Sequence, residues 1–279
     1  MTAPSPFPRG PWPGGEPAPL CVVRGGGDLA TGAARRLYLA GLRVLVLERA
    51  APWCVRRRTA FASAVTAGAV EIDGVLARFG VLPELATWDW DHAVAVVVCP
   101  DQPAPPGLRP DLLVDARVLK RGHDTTPGDA PLVIGVGPGF AVGRDCDAAV
   151  ETARGHDLGR VLYTGATLTF DGVPGPLGGE RARRVVRSPI AGDFRALVAI
   201  GDHVEAGQTV GVTDGRPVDA DLGGVVRGLL APGYEVEWNW KLADIDPRCD
   251  TSACFEISDK ALAIGGGVVE AVLSWLNSR

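Results

Sequence analysis

Apolar positions follow two rhythms along this chain. Between residues 20 and 150 they come as short runs: Leu20–Val23, Val44–Leu47 within a strand from Arg43 to Leu47, Ala93–Cys99, Leu112–Val114, and Leu132 onward to the glycine-rich turn Gly137-Pro138-Gly139. Runs that are apolar at every position belong to a parallel sheet covered on both faces. Leu29 to Leu39 instead carries apolar residues at helical spacing, with Gly41 as a C-terminal stop, so strand, helix and strand make a β-α-β unit. Thr59–Thr66 reads as a second helical segment and Pro103–Pro110 as a connecting loop.

After Arg187 the rhythm shortens. Two similar phrases, Gly201 to Val210 and Asp219 to Leu230, alternate brief strands with turns such as Gly201-Asp202 and Pro232-Gly233. They predict two interlocking halves of a small all-β barrel. Ser258 then caps a final helix that Gly265-Gly266-Gly267 should either break or pack closely against the parallel sheet, since each glycine costs about 1 kcal/mol relative to alanine. The predicted fold class is therefore α/β, a Rossmann-like parallel sheet joined to a small all-β domain. The predicted division is a flexible Pro/Gly-rich leader (1–19), a nucleotide-binding domain (20–130), a linking α/β segment (131–186), the β domain (187–240) and a C-terminal segment packed on the first domain (241–279).

The first strand runs into Arg24-Gly25-Gly26-Gly27-Asp28-Leu29-Ala30. The spacing Gly25-x-Gly27-x-x-Ala30 fits a dinucleotide turn, in which glycines allow close backbone approach and the following helix aims its free amides at phosphate. Gly25, Gly26, Gly27 and Asp28 are thus placed at the phosphate. Glu48, about 20 residues on at the end of the second strand, is placed at the ribose hydroxyls. The ends of the other strands bring Cys99, Asp101 and Asp115 to the same side of the sheet. The same turn in a purely structural role simply lets a helix pack closely on its strand.

A second candidate site is Glu151-Thr152-Ala153-Arg154-Gly155-His156-Asp157-Leu158-Gly159-Arg160. Arg154 and Arg160 suit an anion, and His156 is the candidate general acid because its ordinary pKa lies near neutrality. This segment is expected as a second wall of the nucleotide site, against the alternative of a charged loop satisfying itself. His92, His123 and His203 lack catalytic neighbours in sequence and read as surface or structural.

Hydrophobic residues at 46%, charged residues at 22% and a net charge of −5 describe a globular chain without an electrostatic case for nucleic acid. No apolar stretch approaches the ~20 residues of a membrane span, and the start lacks the basic flank and apolar centre of a signal peptide, so a cytoplasmic protein is expected. The six cysteines form no C-x-x-C pair, and no metal site is expected. Cys54, beside Arg56-Arg57-Arg58, is the thiol whose neighbours would favour a thiolate.

Ser188-Pro189-Ile190-Ala191-Gly192-Asp193-Phe194, the Gly201–Gly211 phrase and Gly223–Leu230 resemble the barrel-sandwich hybrid of biotinyl and lipoyl carrier domains. Those carriers present a lysine at a hairpin. Thr213-Asp214-Gly215-Arg216-Pro217 has none, and the next lysine is Lys241, so no covalent biotin or lipoyl group is expected. From about residue 20 onward the chain resembles the accessory, or maturation, proteins of selenium-dependent molybdenum hydroxylases. The resemblance rests on Arg24–Gly32, the Val55–Arg58 segment, Val114–Arg117 with Lys120, Val133–Phe140, Glu151–Arg160, Lys241–Arg248 and Ile257–Leu273. It implies a cytoplasmic factor that binds a nucleotide or the nucleotide-bearing molybdenum cofactor and acts on a client hydroxylase of the xanthine dehydrogenase type. It transfers no catalytic residue. An NAD(P)-dependent oxidoreductase and a non-enzymatic scaffold stand as the alternative readings.

Overall fold

The computed structural model describes Trp12, residues 15–169 and residues 178–279. Of the predicted leader, only Trp12 and residues 15–19 are among the described residues. The rest is a mixed α/β structure in two compact units. One comprises the described residues of Met1–Pro52, Ala60–Phe170 and Ile257–Arg279, the other Trp53–Thr59 and the described residues of Asp171–Glu256.

The first unit is built on one nine-stranded sheet. Its strands in chain order are β1 (Leu20–Arg24), β2 (Arg43–Glu48), β3 (Ala69–Ile72), β4 (Val75–Phe79), β5 (Val94–Val98), β6 (Leu112–Asp115), β7 (Val133–Val136), β8 (Ala148–Val150) and β9 (Val161–Leu162). They lie in the order β3-β4-β5-β2-β1-β6-β7-β8-β9. From β4 to β8 every neighbouring pair is parallel, and only the edge strands β3 and β9 run against their neighbours. The central strands are buried on both faces, as their unbroken apolar runs require. The expected linking segment 131–186 is instead divided. Its β7, β8 and β9 complete this sheet, and its described residues from Gly178 onward belong to the second unit.

Helices α1 (Asp28–Leu39), the single turn α2 (Ala64–Ala67) and α3 (Asp259–Asn277) complete the unit. α1 and α3 share one core with Cys21, Val23, Val44, Val46 and Val114 on one face of the sheet. The opposite face packs Leu20, Val22, Leu45, Leu113 and Val133 under Trp88 and Phe140. The triple glycine does not break α3. A Cβ on Gly265 would sit 2.6 Å from the Gly32 carbonyl oxygen, and one on Gly267 would strike that of Gly159, so these glycines let α3 lie directly on α1 and on the segment after β8. Gly266 faces open space. Thr59–Thr66 is not one helix but two 3-10 turns leading into α2.

The second unit has two four-stranded antiparallel sheets. The strands are β10 (Val185–Arg187), β11 (Gly192–Ala196), β12 (His203–Val204), β13 (Thr209–Thr213), β14 (Arg216–Asp219), β15 (Gly224–Leu229), β16 (Tyr234–Val236) and β17 (Lys241–Asp246), ordered β10-β17-β15-β12 and β14-β13-β11-β16. Phe194, Val210, Val226, Leu230, Leu242 and Ile245 fill its core. Residues 241–256 thus belong here, and only α3 joins the first unit. Trp53–Thr59 is also part of this unit. The Leu229 amide donates to the Val55 carbonyl at 2.7 Å, and Arg57 donates to the Leu229 carbonyl. Buried Arg56 donates to the carbonyls of Ala253 and Glu256, and the Arg58 guanidinium lies over Phe255, so all three arginines beside Cys54 serve this unit's own structure. Around the buried carboxylate of Asp244 stand Arg184, Arg227 and Lys241, and Arg248 binds Asp246 through two nitrogens.

Candidate functional site

The order of the parallel strands reverses between β1 and β6. From β1 the chain moves outward through β2 to β5, then returns to lay β6 on the other side of β1. At such a reversal the connections leave in opposite directions and open a crevice beyond the carboxyl ends of the strands. Here those ends are Arg24 and Asp115, which are paired in register.

The glycine turn forms one wall. Gly25 has φ +90°, and its Cβ would lie 3.1 Å from the Arg117 Cα, so only glycine fits between β1 and the chain leaving β6. A Cβ on Gly26 would meet the Ala62 nitrogen at 2.8 Å; the Ala62 amide donates to the Gly26 carbonyl, and the Thr31 hydroxyl accepts from Phe61 and donates to the Gly27 carbonyl. Gly27, the N-cap of α1, differs. It makes no side-chain cap, and a Cβ there would meet nothing within 4 Å. Two glycines are thus needed by neighbouring backbone, and the third leaves the helix terminus approachable. Asp28 opens the first turn of α1.

Glu48 does not project outward from the end of β2. One carboxylate oxygen accepts from the Gly26 amide at 2.8 Å and the other from the Arg49 amide at 2.7 Å, so the acid braces the turn. A carboxylate has about four acceptor positions, which leaves room for ribose hydroxyls.

Beside the turn is a group of four charges that sequence reading did not assemble. Arg24, 1% exposed, donates from both terminal nitrogens to the two carboxylate oxygens of Asp124, at 2.7 and 3.2 Å. Arg117 binds buried Asp115 through Nε and Nη2, at 2.9 and 2.6 Å, and reaches Asp124 as well. Hydrogen bonds from Arg24 and then Arg117 hold the Asp124 carboxyl well below the usual carboxylate range. Although burial opposes it, hydrogen bonding to Asp115 and Asp124 raises the Arg117 pKa. The sequence signal was present in one half only. Charged residues closing apolar strands, Arg24 and Asp115, mark the crevice, but nothing local shows that Asp124 returns to them.

His123 adjoins this group. Its Nε2–H donates to the Pro138 carbonyl at 3.0 Å, its ring stacks on Phe140 at 3.8 Å, and its buried Nδ1 has no hydrogen-bond partner. Cys99 lies at the end of β5, its thiol pushed up chiefly by burial and also by Asp101, against an opposing pull from Arg24.

The Glu151–Arg160 segment follows β8, three strands from β1 and so roughly 14 Å along the sheet edge. Arg154 makes a two-pronged pair with Asp259 in the first turn of α3, at 2.8 and 2.9 Å. Arg160 pairs with Asp157 at 2.6 Å, and His156 is exposed. Buried Glu151 accepts from the amides of Thr152, Ala153 and Leu168, and Gly159 lies under Ala263 of α3. Arg154 and Gly159 thus meet α3, whereas Arg160 is paired within the segment itself. Among the described residues no group of His, Cys, Asp or Glu is arranged to hold a metal, and no helix is long and apolar enough to cross a membrane.

No family model matches the chain. It is 42% identical over 255 residues, 91% of its length, to the uncharacterized protein YqeB of Escherichia coli, and spans 47% of that relative. The chain is therefore about half the length of the curated relative it matches. Among solved structures, an aspartoacylase family protein from Mesorhizobium loti is 14% identical with a TM-score of 0.26, covering 82% of this chain and 85% of that one. The product-bound ectoine utilization protein EutE of Ruegeria pomeroyi is 12% identical with the same score and the same coverage of each chain. Similarity of that size assigns neither fold nor chemistry.

Proposed function

We propose that the larger unit is a Rossmann-like domain binding a nucleotide-type ligand, and that the chain is an accessory factor for maturation of selenium-dependent molybdenum hydroxylases. The observation that carries the ligand reading is the glycine turn at the reversal between β1 and β6, with the α1 terminus approachable at Gly27. The wider role rests on the motif resemblance. Its ligand on this reading is the nucleotide-bearing molybdenum cofactor, its partner the client hydroxylase, and its place the cytoplasm. The smaller unit, with its paired four-stranded sheets, is read as a barrel-sandwich hybrid that presents a surface and carries no covalent biotin or lipoyl group.

The residues on hand suit binding and transfer better than turnover. Glu48 and Arg117 offer acceptors and donors, whereas His156, the proposed acid, follows β8 rather than the turn. That arrangement weakens the alternative of an NAD(P)-dependent oxidoreductase.

Two measurements test the reading. Calorimetry with ADP, NAD⁺ and NADP⁺ should give binding that Gly27→Val abolishes. Co-expression of a client hydroxylase with wild-type chain, but not with Gly27→Val, should raise hydroxylase activity and cofactor content. Equal client activity with both chains overturns the maturation role.

A further inference from the structure

The four charges at the crevice are not equivalent. Asp115 and Arg24 close β6 and β1 and are both buried, fixed by the ladder between them. Arg117 is tied to Asp115 by a fork of two hydrogen bonds. Asp124 lies farther along the irregular stretch between β6 and β7 that also holds Arg117, and its side chain, 53% exposed, is the outermost of the four. Yet it is the closest partner of the most deeply buried cation, since the Arg24 guanidinium stands 3.8 Å from Asp115 but 2.7 Å from Asp124.

Two guanidinium groups converging on one outward carboxylate present the fork geometry that also matches phosphate. Take Asp124 away and two arginines face one buried aspartate, a net charge of +1 beside the glycine turn. The turn is in contact, because the Arg117 Cα is what a Cβ on Gly25 would strike. The loop that brings Asp124 back begins at Val118, a β-branched residue held at φ +56°, a conformation that costs such a side chain of order 1–3 kcal/mol.

We propose that Arg24 and Arg117 form an oxoanion site at the β1/β6 reversal, that Asp124 fills it as an internal stand-in, and that a phosphate group of the ligand displaces Asp124. This deepens the nucleotide-binding reading and rests on it for the identity of the ligand, though not for the anion chemistry. The exchange is one of hydrogen-bond acceptors, with no bond made or broken. Its energetic consequence is competition. The apparent affinity is reduced by the fraction of time Asp124 holds the site, so removing its charge tightens binding.

The test is calorimetry with ADP and with inorganic pyrophosphate on wild type, Asp124→Asn, Arg117→Gln and Gly27→Val. Asp124→Asn should bind both probes about tenfold tighter, and Arg117→Gln about tenfold more weakly. Hydrogen exchange on the wild-type chain supplies a reading that needs no variant: the amides of residues 118–125 should exchange faster when pyrophosphate is added. ADP binding that Gly27→Val abolishes but Asp124→Asn leaves equal or weaker would overturn the stand-in and keep the nucleotide reading. Pyrophosphate binding that tightens in Asp124→Asn, with no binding of ADP, would keep the oxoanion site and overturn the nucleotide. No binding of either probe to any folded variant, with unchanged exchange, overturns both.

Discussion

Gly26 and Gly27 are neighbours in sequence and opposites in packing, and that contrast separates stability from recognition at the scale of single residues. Gly26→Ala puts a Cβ against the Ala62 backbone, which cannot rotate away, and should destabilise the fold by about 1–3 kcal/mol in urea titration. Gly27→Ser adds an N-cap hydroxyl in open space, so stability should hold or rise by a few tenths of a kcal/mol while ADP affinity falls. A drop in urea midpoint for Gly27→Ser would mean the turn is closed at that point. Acid acts through a different set of residues. Hydrogen bonds from two arginines depress Asp124. Asp244 is depressed too, its burial outweighed by Lys241, Arg184 and Arg227. A depressed carboxyl contributes stability that is present above its unfolded value and lost as pH falls through the folded one. The urea midpoint should therefore be flat from pH 7 to about 5 and fall below about pH 4, where unfolded aspartates bind protons first. Asp124→Asn should reduce that acid dependence.

Among elements, the pairing of α1 with α3 rests on absent side chains. Gly32→Ala would drive a Cβ into the Ala261 carbonyl, and Gly267→Ala would do the same to Gly159, so each should cost several times more than a surface change, about 2–3 kcal/mol. Gly266→Ala meets nothing and should instead stabilise the helix by up to about 1 kcal/mol. Thermal unfolding of the three variants checks the order. These elements also show what could be read beforehand. β1, α1, β2 and the core strands after them follow from apolar periodicity and a glycine stop, which are local signals. The hairpin of β3 and β4 had a local signal too: Asp73-Gly74, both at positive φ, is the turn that a two-residue hairpin requires. Continuity of α3 through three glycines was not legible, because helix propensity there is overridden by packing partners distant in sequence. The same holds for the candidate site. Its glycines and strand ends are written in the chain, whereas the return of Asp124 to Arg24, a hundred residues away in sequence, and the capture of Arg154 by Asp259 are products of the fold.

At the scale of the whole molecule, the two units exchange segments along the chain: Trp53–Thr59 belongs with the described residues after Asp171, and α3 belongs with the sheet that precedes them. Trp53–Thr59 is more than a connector, for the Val55 carbonyl accepts from Leu229 and Arg56 ties down Ala253 and Glu256. A fragment of residues 178–256 should accordingly fold poorly alone and gain β-sheet signal when a peptide of residues 52–60 is supplied, measurable by circular dichroism. Full folding of the fragment without the peptide would contradict this. The interleaving also sets a schedule for synthesis. A chain leaving the ribosome has made the whole nine-stranded sheet by Leu162, but the helix that covers Ile134, Ala148 and Val150 comes more than ninety residues later. Until then those apolar surfaces are open to any passing chain, and neither unit has the early completion that usually protects a nascent domain. Such a protein should depend on holding chaperones during translation, and its yield should respond to elongation rate more than that of a chain whose domains close in order.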